Sequence, residues 1–392
     1  MLTEQDALSS ILSAVRPLET EEAPLFEAGG RILSEPISAQ VSLPRFDNST
    51  MDGYAVRAAD AVAGGVLRVV GEQPAGPDRS LEVTAGSAVR VYTGAQIPAG
   101  ADAVVMQEDC DRQGNWVTIR EPATPGEFIR LRGSDLCEGQ KIADPGVRLN
   151  GPLLATLASQ GRDRIRVFRR PKVAILATGS ELKVAGEPLG PGEIYETNRI
   201  MLHELVRGAG AIPHLFDPVP DDESDHLRAL QEAGSNDAIV IAGGVSVGER
   251  DLVKTTLKKL GCQIELWRVA VRPGKPFLFG RMGEAWVFGL PGNPVSAFVT
   301  FVLFVRPALL AMQGSRGPSV IKIQAVVAKT VTNKGERPHY LRGYFDAHRF
   351  TPFENQESNA LFGLSRANAL LRIGAKAEIN EDQSVEVTLI SE

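Results

Sequence analysis

Three short loops of this chain carry the residue types that handle phosphates and metal ions. They are ATGSE (177–181), AGGVSVGERD (242–251) and GLPGNPVS (289–296), and each directly follows an apolar run. Glycine lets an anion approach the backbone, and a helix beginning after the loop presents free N–H groups to it. Thr178, Gly179 and Ser180, then Gly243, Gly244 and Ser246, then Pro291, Asn293, Pro294 and Ser296 are therefore candidates to bind substrate. One such loop is explained by turn chemistry, but three after successive strands are harder to explain that way. Neither GxxxxGK[ST] nor GxGxxG occurs, which excludes the usual P-loop and dinucleotide fingerprints.

Acids gather beside these loops: Glu181, Asp221 with Asp222, and Asp251. Carboxylates next to phosphate loops suit magnesium, which takes one or two acids together with phosphate and water. Helix N-capping explains Asp221, Asp222 or Asp251 equally well when each is taken singly. WRVAVRPGKP (267–276) supplies positive charge through Arg268, Arg272 and Lys275. Read as a strand, it puts Arg268, Ala270 and Arg272 on one face, either as a solvated edge or as an oxyanion clamp. The five histidines form no metal or catalytic pattern and read as surface or packing residues.

These residues need elements to position them. Thr3 caps a predicted helix with Leu8, Ile11, Leu12 and Val15 on one face, ended by Pro17. From Pro36 to Asp144, short apolar or alternating runs divided by Gly and Pro predict a β-rich module. It contains two unusual polar loops, PRFDNSTMDGYAVR (44–57) with Asp52 and YTGAQIPAGADAVVMQED (92–109) with Thr93. GPLLATLASQG predicts a short helix, and the basic run RDRIRVFRRP follows as a connector. Beyond Pro171 strands and helices alternate, which predicts a mostly parallel sheet covered on both faces. The helix NRIMLHELVRGAG should stop at Gly208, and ligands should meet the carboxyl edge of the sheet. Pro294–Met312 reads as a buried core helix interrupted at Arg306-Pro307, and strands return after Gly317.

Composition sets the limits. The chain has 392 residues, 43% hydrophobic and 23% charged, with a net charge of −6, which suits a globular multidomain protein and not a general nucleic-acid binder. Three separated cysteines give no disulfide frame or zinc site and fit a reducing compartment. The polar, acidic start MLTEQDALSS lacks the pattern of a signal peptide, so a cytoplasmic protein without a membrane span is expected.

The motifs NSTMDGYAV, VYTGAQIPAGADAVV, IRLRGSD, ATGSEL, IYETNR, GGVSVGERD, RPGKPFLFG and GLPGNPVSA, in this order, resemble the MoeA family of molybdopterin molybdenumtransferases, which are similar to the E domain of gephyrin. The resemblance implies α/β plus β architecture: a MogA-like, mostly parallel α/β sandwich, an N-terminal β-rich module on an extended connector and a small C-terminal β domain. It divides the chain into 1–43 with 136–170, 44–135, 171–314 and 315–392. It implies the last step of molybdenum cofactor synthesis, in which adenylylated molybdopterin and molybdate react with Mg2+ and release AMP. By motif, Asp52, Thr93, Glu181, Asp221 and Asp251 match positions needed for activity, the last three as metal ligands. Arg268, Arg272 and Lys275 match a basic pterin- and oxyanion-binding segment, and Arg342 and Ser358 a C-terminal contribution. Arg268 and Arg272 stand where many relatives carry lysine, and GSE replaces the common GDE. A homodimer with shared sites is implied, with a MogA-type adenylyltransferase and molybdoenzyme apoproteins as further partners. Two other readings are a MogA-like adenylyltransferase and a non-catalytic scaffold of the same fold. A single MogA-like unit opposes the first, and retained charged motifs oppose the second.

Overall fold

The structure is a computed structural model that describes residues 1–245, 252–317 and 320–390. Its chain divides into two compact units, one of Pro36–Asp144 with Thr156–Gly161, the other of Met1–Glu35, Pro145–Ala155 and Arg162–Glu392.

The larger unit opens with helix α1 (Glu4–Ala14), whose N-cap Thr3 accepts the Asp6 N–H. Ala7, Ile11 and Val15 are buried, whereas Leu12 is exposed. The inward stripe is thus rotated from the expected one by using the small Ala7 at the contact.

The smaller unit is β-rich, as its sequence predicts. Strands β1 (Gly53–Val56), β2 (Val66–Gln73), β3 (Ser87–Val91), β4 (Ala103–Met106), β5 (Cys110–Gln113) and β6 (Trp116–Ile119) form a sheet in the order β4-β1-β3-β2-β6-β5. Tyr54, Val56, Leu67, Ala88 and Val105 fill one core of this unit, and Ala55, Val89, Val91 and Val104 another. This is the alternation expected of strands buried on both faces.

The rest of the larger unit holds β7 (Lys172–Ala177), α2 (Asn198–Gly208), β8 (Ile212–Leu215), α3 (Glu223–Ala233), β9 (Ala238–Ala242), α4 (Leu252–Lys259), β10 (Gln263–Trp267), β11 (Leu278–Met282), β12 (Ala285–Leu290) and α5 (Pro294–Met312). Their sheet runs β8-β7-β9-β12-β11-β10, with β8, β7, β9 and β12 parallel and β11 antiparallel to both neighbours. Val173, Ile175, Val240 and Phe288 face α1, α2 and α5, while Ala174, Leu176, Ile239 and Val287 face α3 and α4.

Three details depart from the sequence reading. Helix α2 continues through Gly208, and the left-handed residue is Gly210 at φ +79°. Helix α5 is not interrupted at Arg306-Pro307: a π turn at Phe301–Val305 precedes them and the helix resumes. A wider turn relieves the clash between a proline ring and the carbonyl four residues earlier. The helix is long and apolar enough to cross a membrane, but most of it is buried against the sheet, α1 and α2. Third, β10 stops at Trp267 because Arg268 takes φ +74°. The Val269 N–H then donates to Lys275 O at 3.2 Å and closes a loop. Arg268, Ala270 and Arg272 therefore do not share a strand face.

Beyond α5, strands β13 (Lys322–Val327), β14 (His339–Phe345), β15 (Arg349–Pro352), β16 (Ala369–Ile373) and β17 (Ser384–Leu389) close a barrel in the order β13-β15-β14-β16-β17.

Candidate active site

The parallel strands β7, β9 and β12 end on one edge, and the three glycine loops leave from there. Together they border a cleft of about 730 Å³, lined by Thr178, Gly179, Glu181, Asp221, Gly243, Gly244, Asn293 and Pro294. At Gly243 and Gly244 the packing leaves no room for a side chain. A Cβ on Gly243 would lie 2.7 Å from the Thr178 carbonyl oxygen, and one on Gly244 2.5 Å from Val253. Both have positive φ, so glycine is required on two counts. Ser246 and Asp251, predicted to belong to this loop, lie outside the described residues.

The acids beside the cleft divide their work. Asp222 caps α3 by accepting the Ser224 and Asp225 N–H groups, and its Ser224 hydroxyl and these N–H groups hold its carboxyl below the ordinary range. Asp221 does not cap. Its Oδ2 accepts the Ser180 N–H at 3.3 Å, and its own N–H donates to Ser180 Oγ at 2.8 Å. Glu181 has an exposed carboxylate with no hydrogen bond or ion pair among the described residues. Within those residues no three His, Cys, Asp or Glu side chains converge as metal ligands. A pair of carboxylates on one cleft, one of them without a protein partner among the described residues, nonetheless suits a magnesium ion that completes its shell with phosphate and water.

Asn198, which the sequence reading passed over, is a buried wall of the same cleft. Its Nδ2 donates to Gly292 O at 2.7 Å, which ties α2 to the third loop. Its only sequence signal was its place in IYETNR.

A second pocket, of about 340 Å³, adjoins the first at Pro276, Pro291 and Asn293. Arg272, Lys275, Ser296 and Ser358 line it, as do Arg337 and His339, which the sequence did not single out. The barrel is joined here to the α/β layer: Arg272 N–H donates to Pro338 O at 2.9 Å, and Arg272 O accepts the Tyr340 N–H at 2.8 Å. Asn293 Nδ2 donates to Ser358 Oγ at 2.8 Å, and the Val295 N–H donates to Ser358 O at 3.1 Å. Burial, with Arg272, Arg342 and Arg337 adding to it, pushes the His339 imidazole down to about 4, so it is neutral at neutral pH. The pocket is thus cationic through Arg272, Lys275 and Arg337, and it is faced by the first turn of α5.

Two expected residues lie elsewhere. Arg342 is 1% exposed, and its guanidinium donates to the carbonyls of Asn355, Glu357 and Ala360. It holds the segment carrying Ser358 from behind and lines neither cavity. Arg268 lies against Trp267, its guanidinium carbon 5.3 Å from the ring centroid, and is also absent from both linings.

In the smaller unit, Asp52 and Thr93 form a pair. Thr93 donates to Asp52 Oδ1 through its N–H at 2.8 Å and its hydroxyl at 2.9 Å. These two bonds hold the Asp52 carboxyl below the usual range. The sequence singled the two out separately, on loops that place them 41 positions apart.

Comparison with known proteins matches residues 2–161 to the MoeA N-terminal region (domain I and II), 174–311 to a probable molybdopterin binding domain and 324–390 to the MoeA C-terminal region (domain IV). The molybdopterin molybdenumtransferase of Haemophilus influenzae is 41% identical over 319 residues, 81% of this chain and 79% of that one. Molybdopterin molybdenumtransferase 2 of Mycobacterium tuberculosis is 36% identical over 382 residues, 94% of each chain. A crystal structure of the molybdopterin biosynthesis MoeA protein from Pyrococcus horikoshii OT3 superposes with a TM-score of 0.87 at 32% identity and covers all of both chains.

Proposed function

Because the chain belongs to the MoeA family of molybdopterin molybdenumtransferases, we infer that it performs the final step of molybdenum cofactor synthesis. Molybdate is inserted into adenylylated molybdopterin and AMP leaves. The observation that carries this reading is the pairing of two adjoining cavities. One is a glycine-walled cleft bordered by the carboxylates of Glu181 and Asp221, and the other is a cationic pocket sharing Pro276, Pro291 and Asn293 with it.

The division of labour follows from the charges. The backbone of Gly179, Gly243 and Gly244, which lines the cleft, would meet the phosphate bridge of the adenylylated pterin. Arg272 and Lys275 offer charge to molybdate, with Ser296 and Ser358 as hydroxyl donors beside it. Asn293 spans both cavities and aligns the two substrates. Glu181 and Asp221, with Asp251, are proposed to hold Mg2+, which would neutralise phosphate charge as AMP departs. Asp52 and Thr93 are proposed to complete the site from a second copy, in a cytoplasmic homodimer. The four-part division of the chain given by the motifs is proposed with it.

Purified protein incubated with adenylylated molybdopterin, Mg2+ and molybdate should release AMP and yield active cofactor. Consumption of ATP to adenylylate the pterin, with no AMP released, would assign the chain to the adenylyltransferases instead.

A further inference from the structure

Arg90 lies on β3, three residues before Thr93, and is 8% exposed. Tyr92 follows the last residue of β3, and the register sets Tyr54 of β1 opposite Arg90. The guanidinium carbon is 5.0 Å from the Tyr54 ring centroid and 5.2 Å from that of Tyr92. Nη1 donates to Gly53 O at 3.3 Å, and Nη2 donates to Gln107 Oε1. The Gln107 N–H in turn donates to Asp52 O at 3.0 Å.

One planar fork therefore ties the residue after Asp52 to the residue that grips the Asp52 carbonyl. Its own strand delivers Thr93, which grips the Asp52 carboxylate. An apolar side chain of similar length would fill the space between the two tyrosines without burying a charge. The aromatic faces offset part of that cost. What a methionine could not do is hold two acceptors in a fixed plane next to Asp52.

We infer that Arg90 is a positioning residue for the transfer reaction: its fork fixes the Asp52–Thr93 pair in the geometry in which Asp52 works. This rests on the reading that Asp52 takes part in the reaction.

The test uses the full-length protein with Arg90→Met and Arg90→Lys. In Arg90→Met, kcat for AMP release should fall about tenfold or more, while KM for adenylylated molybdopterin moves less than about threefold. Arg90→Lys should recover only part of kcat. The Asp52 carboxyl, followed by 13C NMR and assigned with Asp52→Asn, should titrate higher in Arg90→Met, towards the ordinary value of about 3.9. A folded Arg90→Met with wild-type kcat, or with the Asp52 titration unmoved, overturns the proposal. Should Arg90→Met fail to fold, Arg90→Lys decides: reduced kcat at unchanged KM supports the fork, and wild-type kcat overturns it. Wild-type turnover in Asp52→Asn would sink the underlying reading and the proposal with it, whereas low turnover in Asp52→Asn beside wild-type kcat in Arg90→Met sinks the proposal alone.

Discussion

At the scale of single residues, the account turns on what Arg272 and Asp52 do. Arg272 is exposed in the cationic pocket, and its backbone is anchored on both sides to the barrel. Truncating it should therefore cost binding rather than folding. Loss of a charge-assisted contact removes about 2 kcal/mol, so Arg272→Ala should need at least about tenfold more molybdate for half-maximal rate. Sulfate should compete with molybdate in the wild type. An unchanged molybdate dependence would leave Arg272 as a surface residue. Asp52→Asn should retain the melting temperature within a few degrees and release little AMP; normal turnover would return the Asp52–Thr93 pair to turn chemistry. Glu181, Asp221 and the glycines were legible in the sequence because acids and glycines gather in the loops that come after strands. His339, Arg337 and Asn198 were not, because their importance comes from packing between segments far apart in the chain. Arg342 was named only from its motif, and its burial, with three backbone carbonyls taking its donors, could not be read from the sequence.

At the scale of elements, periodicity predicted the strands and helices but not where they stop being regular. No side-chain pattern marks the left-handed Arg268 that ends β10, and the valines on either side of Ala270 look like continued strand while they are in fact buried in a loop. The basic connector before β7 was read as a linker, yet Arg169 anchors the sheet. Its Nη1 and Nη2 each donate at 2.8 Å to Asp237, the residue before β9, and Asp237 also accepts the Lys172 N–H at 2.7 Å. Burial pushes the Asp237 carboxyl up, but Arg169 and the Lys172 N–H outweigh it and hold it below the ordinary value. A depressed folded pKa contributes stability that is complete above the unfolded value of about 3.9 and is lost as pH falls through the folded one. Asp237→Asn should therefore destabilise the protein by about 2 kcal/mol at pH 7, and the difference should shrink towards pH 3. Thermal melts at the two pH values check this; a gap independent of pH would mean that packing, not charge, holds the connector.

At the scale of the whole molecule, the sequence showed a β-rich module, an α/β layer and a β domain, because short strands give way to alternating strands and helices beyond Pro171 and return after Gly317. It does not say which copy's cleft Asp52 would serve. If Asp52 serves the cleft of a second copy, mixing Asp52→Asn and Asp221→Asn chains should restore activity. Random pairing gives half mixed dimers, each with one intact site of two, hence roughly a quarter of wild-type turnover. No recovery would place both residues in the service of one chain. Whether the paired cavities exchange AMP for molybdenum is decided by counting products. Wild-type protein with Mg2+, adenylylated molybdopterin and molybdate should release one AMP for every cofactor able to activate a molybdenum-free apoenzyme, and Arg272→Ala should lower both yields together at limiting molybdate. Active cofactor formed without AMP release, or AMP released with no cofactor at saturating molybdate, would contradict it.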